Sequence, residues 1–129
     1  MSRPSSLTPD HGARTGVSRP GERTRILARV AFVLVVAVHL AVLYWPRAPS
    51  TGGLPIDKVV HAVIFGVVLW VAAWADLPVR PVAALLVVHA VASELIQHYV
   101  LAGRSGDPID SVADVAGVLI VTAVLWRRK

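Results

Sequence analysis

Ten side chains of this sequence could carry chemistry, and all of them sit at one end of four long apolar segments. Asp57, Lys58 and His61 open the second segment, and Glu94, Gln97 and His98 close the third. Arg104 and Asp107 lie in the loop that follows, and Asp110 and Asp114 open the fourth. If the segments cross a membrane in alternating directions, the ten groups arrive at one face. Charges at membrane depth are costly unless they are paired or used, so a gathering at one level points to a site.

Three pairs share a spacing of four: Asp57/His61, Glu94/His98 and Asp110/Asp114. On a helix such residues lie one turn apart on the same face, and Gln97 shares that face of the third segment. Counting a rise of about 1.5 Å per residue puts Glu94 roughly 10 Å inside, Asp114 and His39 roughly 9 Å, and His89 near the middle. Glu94 at that depth must be protonated, paired or in contact with water. Plainer readings apply to the others. Asp57, Asp107 and Asp110 stand where carboxylates cap helix N-termini, Lys58 can snorkel, and His39 and His89 can bond between helices.

Asp57, Glu94, Asp107, Asp110 and Asp114 set five negative charges against Lys58 and Arg104. Crowded carboxylates raise one another's pKa, so Glu94 and Asp114 would share a proton unless a cation intervenes. Such a set suits a metal ion, a proton relay or a basic ligand, and it repels a bare phosphate. No cofactor is expected. A divalent metal is left open, since the His and carboxylate set could ligate zinc or magnesium, but no compact motif such as H-E-x-x-H is present. P-loop, G-x-S-x-G, paired-cysteine and lipid-phosphatase patterns are absent, so no enzyme of known type announces itself.

The elements that position these groups follow from composition. The chain has 129 residues, 55% of them hydrophobic, only 16% charged, with a mean hydropathy of +0.64. The apolar residues come in runs of about 20, which match the hydrocarbon core of a bilayer. We expect an all-α, polytopic membrane protein: four transmembrane helices at about 26–45, 57–75, 82–101 and 109–126, after a basic, disordered cytoplasmic tail over 1–25. The first run exceeds the length of a signal-peptide h-region and is read as an uncleaved helix. Pro46, Pro49 and Pro55 punctuate the first loop, and Asp107-Pro108 pairs an N-cap with a proline at the first helical position. Tyr44, Trp45, Trp70 and Trp74 fall where interfacial aromatic belts are expected. Without cysteine, disulfides and thiolate metal sites are excluded.

The calculated pI of about 10.8 does not imply nucleic-acid binding, because the basic residues sit where they set topology. Six arginines (Arg3, Arg14, Arg19, Arg23, Arg25, Arg29) precede or start the first run, and Arg127, Arg128 and Lys129 end the chain. By the positive-inside tendency both termini are cytoplasmic, and the ten polar groups face outward.

Asp57-Lys58-x-x-His61, Ser93-Glu94-Leu95-Ile96-Gln97, Gly103-Arg104-Ser105-x-Asp107 and Asp110-x-x-x-Asp114-x-x-Gly117 follow one another in order on successive helix ends. Over roughly residues 30–126 that succession resembles the VanZ-like family of small bacterial membrane proteins. The family usually carries Asn where Asp114 stands. The resemblance implies a bacterial inner-membrane protein that affects susceptibility to glycopeptides of the teicoplanin type. It assigns the polar positions to Asp57, Lys58, His61, Glu94, Gln97, Arg104, Asp110, Asp114 and Gly117, the last of which suits close helix packing. The expected partners are the bilayer and a cell-envelope precursor or glycopeptide. The alternatives are a metal-assisted hydrolase or transferase on a lipid-linked envelope precursor, and a purely structural lock between helices.

Overall fold

The computed structural model describes residues 21–45, 55–101 and 106–128. They form four helices: α1 (Glu22–Tyr44), α2 (Pro55–Trp74), α3 (Val79–Tyr99) and α4 (Pro108–Trp126). All four are long and apolar enough to cross a membrane. At 19 to 23 residues each spans roughly 29–35 Å, the thickness of a hydrocarbon core. No strand occurs among the described residues. The expected tail over 1–25 is described only at its end, where helix α1 begins four residues earlier than its apolar run. Glu22, Arg23 and Arg25 form that first turn, because such residues are good helix formers at an interface.

The ends of the helices follow local chemistry. Asp107 caps α4, its Oδ1 accepting from the Ile109 amide at 2.9 Å, with Pro108 at the first helical position as expected. Helix α3 starts at Val79, three residues before the expected 82. Pro81 then occupies the first turn, where the amide it lacks would have no partner in the helix. Helix α2 ends in a Schellman turn. Leu77 N–H bonds Ala72 O at 3.0 Å, Asp76 N–H bonds Ala73 O at 3.2 Å, and Asp76 takes the left-handed conformation at φ 61°.

Contacts between helices set the topology. Lys58 meets Asp110, His61 meets Asp114, and Gly66 faces Gly117, so α2 and α4 run parallel from the same end. Helix α3 runs antiparallel to both, since Ser111 Oγ donates to Ala90 O and Arg80 stacks over Trp126. Helix α1 rests on α2 and touches α3 lightly. Helix α2 is therefore the centre of the bundle, and Phe65, Leu69, Ala72 and Val68 are its fully or nearly fully buried residues.

Outer faces are apolar throughout. Leu85, Val88, Val112 and Leu27 are each 65% or more exposed, a distribution over the bundle that water would penalise and lipid accommodates. The inner core is small, and α2 and α4 gain contact by approaching closely at glycine. A Cβ on Gly117 would overlap the Ala62 backbone carbonyl, whereas one on Gly66 would lie 3.1 Å from the tip of Val121. Gly117→Ala is expected to destabilise the protein by about 2–3 kcal/mol through overpacking against backbone. Gly66→Ala, facing a side chain that can rotate, should stay within about 1 kcal/mol of the wild type. Thermal or denaturant unfolding in detergent measures both.

Candidate functional site

Each of three helices carries an inward seam with steps of three and four, and each seam changes from apolar to polar at one level. In α2 it reads Ala72, Val68, Phe65, His61 toward the polar end. In α3 it reads Leu86, Ala90, Ser93, Gln97, with Glu94 beside it. In α4 it reads Gly117, Asp114, Asp110. The polar residues are buried along with the apolar ones, so they meet across the bundle.

They meet in two tiers. In the outer tier Lys58 Nζ donates to Asp107 Oδ2 at 2.7 Å and to Asp110 Oδ1 at closer range. The Asp107 backbone N–H donates to Glu94 Oε2 at 2.7 Å, so this one residue joins the starts of α2 and α4 to the end of α3. Asp57, half-buried, brings a carboxylate oxygen within 4.8 Å of ligand atoms on His61 and Asp110. The Lys58 ammonium, and then the Ile109 amide, hold the Asp107 carboxyl below its ordinary value.

In the inner tier His61 Nδ1 lies 3.0 Å from Asp114 Oδ1, and its Nε2 lies 3.8 Å from Asp110 Oδ2. Glu94 completes a group in which one nitrogen or oxygen from each of His61, Glu94 and Asp114 lies within 4.8 Å of the others. These three residues are 6%, 6% and 0% exposed. Glu94 Oε1 and Asp114 Oδ2 are buried with no hydrogen-bond partner among the described residues. No lysine or arginine among the described residues forms an ion pair with Glu94 or Asp114. Two carboxylates and an imidazole so placed can share a proton, exchange one with a ligand, or hold a cation.

Not every expected residue joins. Gln97 is buried in the α3 seam, but His98 is exposed and turns its ring edge to Tyr99, with centroids 4.6 Å apart. Arg104 lies outside the described residues, with the rest of 102–105 and with 46–54 between α1 and α2. Two apolar grooves lie elsewhere, one of about 260 Å³ between α1 and α2 and one of about 380 Å³ between α2 and α4.

A second polar set corrects the depths inferred by counting. His39 and His89 do not sit at different levels: His39 Nε2 lies 3.3 Å from His89 Nδ1. Tyr44, at the end of α1, points its hydroxyl inward, 3.0 Å from His89 Nε2. Phe65 packs edge-on against His39 and lies 5.7 Å, ring to ring, from His89. Gly106 was also without a sequence signal of its own. A Cβ there would strike the Glu94 carbonyl, so glycine lets the loop press Asp107 onto α3.

Comparison with known protein families, curated proteins and solved structures returns no match for this chain.

The outer tier makes a pH-dependent prediction. A carboxyl whose pKa is depressed on folding contributes stability above its ordinary value, and loses it as the pH falls through the folded one. The stability gap between wild type and Asp107→Asn should stay constant from neutral pH to about 5 and close below the ordinary value of 3.8. Melting curves in detergent across that range measure the gap. A gap that widens in acid would contradict the assignment.

Proposed function

We propose that this chain is a VanZ-like protein of the bacterial cell membrane, with both termini cytoplasmic. Its charged cluster then faces outward, where it engages a cell-envelope component or a glycopeptide and alters susceptibility to antibiotics of the teicoplanin type. The observation that carries this reading is the two-tier cluster. Asp57, Lys58, His61, Glu94, Gln97, Asp110 and Asp114, the residues of the family resemblance, come from three helices to one end of the bundle. Gly117, the remaining apolar member of that resemblance, sits where α2 and α4 approach most closely. The orientation is supported at the other end, where Arg80 stacks on Trp126 and Arg128 on Trp70 at 5.6 and 4.8 Å. Paired arginine and tryptophan suit a cytoplasmic interface.

A second reading is a hydrolase or transferase acting on a lipid-linked envelope precursor. The buried His61–Asp114 bond beside Glu94 favours it, because an imidazole fixed by one carboxylate next to another is an arrangement for proton transfer. His98 stands too far out to assist.

Glu94→Gln separates function from architecture. The amide oxygen can still accept the Asp107 N–H, so the loop stays in place while the charge is lost. In a deletion strain, wild type should restore teicoplanin tolerance and Glu94→Gln should not, at equal membrane abundance by immunoblot. Equal protection by both would remove the cluster from any resistance role.

A further inference from the structure

The outer tier has a cation and the inner tier has none. Lys58 is engaged by Asp107 and Asp110. Glu94 and Asp114 lie deeper and pair with no lysine or arginine among the described residues, and each keeps a buried oxygen without a partner there. A buried acceptor left unsatisfied is costly, and more so when charged. Both carboxylates ionised beside a neutral imidazole amount to two negative charges in a space closed to water. One divalent cation would neutralise both charges and occupy both free oxygens.

We infer that His61, Glu94 and Asp114 form a binding site for a divalent transition-metal ion, Zn²⁺ by its donor set. The donors are one nitrogen and two carboxylate oxygens, which suit zinc; magnesium and calcium take oxygen alone. Their mutual separations, all within 4.8 Å, need only small side-chain rotations to meet zinc bonds of about 2.0–2.2 Å. The imidazole is already held for the task. Its Nδ1 faces Asp114 at 3.0 Å, while Nε2 faces Asp110 Oδ2 at 3.8 Å. With Nδ1 on the metal, Nε2–H can donate to Asp110, the carboxylate–histidine support common around bound zinc. Three protein ligands leave a fourth position open, the pattern of zinc sites that bind or activate a ligand. This inference rests on the reading of the cluster as a working site and adds the ion that completes it.

The test is metal content. The full chain is purified in detergent through a tag without histidine, stripped with chelator, incubated with Zn²⁺, desalted and measured by elemental mass spectrometry. About one zinc per wild-type chain is expected. Glu94→Gln and Asp114→Asn should lower zinc affinity by more than about 100-fold, beyond the roughly 10- to 100-fold that loss of an outer-shell partner costs. His98→Gln, with its exposed ring, should bind like wild type. Co²⁺ in place of zinc should give visible ligand-field absorption in the wild type, a readout that needs no variant to fold. Wild type that retains no zinc and gives no cobalt spectrum overturns the site, as does Glu94→Gln binding as well as His98→Gln. The two proposals fail separately. Zinc bound without any antibiotic phenotype removes the proposed role and keeps the metal, and a phenotype without zinc does the reverse.

Discussion

At one end of this bundle a single lysine binds two carboxylates, the partly exposed Asp107 and the buried Asp110. Lys58 leaves α2 and contacts both the cap of α4 and the first turn inside it. Asp107, fixed by that contact, offers its amide to Glu94 on α3. Three helix ends are thus tied by one ammonium and one backbone N–H. Lipid provides little hydrophobic drive for helix association, so the geometry of such an end depends heavily on its polar contacts.

Those contacts also select the register. Apolar seams of Val, Leu and Ala pack nearly as well after a shift of one turn, about 5.4 Å. The polar seam does not. The same shift would carry Lys58 past Asp110 and His61 past Asp114, leaving charges unpaired at depth. Gly117 adds a steric condition, because only that residue admits the Ala62 carbonyl. Parallel packing of α2 on α4 is specified by charge at one end and by the absence of a side chain in the middle.

The four spans and the shared level of the acids were legible because both depend on linear counts: apolar run length, and distance from the nearest polar break. What counting could not supply was the rotation of each helix and the relative height of the helix ends. His98 follows Glu94 by four residues, yet the α3 seam advances from Ser93 to Gln97 and leaves His98 on the rim. His39 lies five residues before the end of α1 and His89 ten before the end of α3, and they still touch because the two ends stand at different heights. Tyr44 has the character of an interfacial residue, but its hydroxyl has the half-buried His89 imidazole within reach and turns inward. The start of α1 was obscured for another reason. Glu22, Arg23, Thr24 and Arg25 lie before the apolar run yet belong to its helix.

The two tiers divide what one cluster would otherwise have to do at once. A lock between helices needs each donor matched to an acceptor, and in the outer tier Lys58 and the Ile109 amide both find carboxylate oxygens. The inner tier exceeds what a lock requires. His61 and Asp114 already join α2 to α4, and Glu94 already holds the loop. The further oxygens on Glu94 and Asp114 join no helices and carry a desolvation cost. An Asn at position 114 could satisfy His61 with no second buried charge beside Glu94. The carboxylate therefore adds a cost that packing does not offset, and the excess supports a group meant to bind something. The rigid outer tier is what would keep that group in place while it binds.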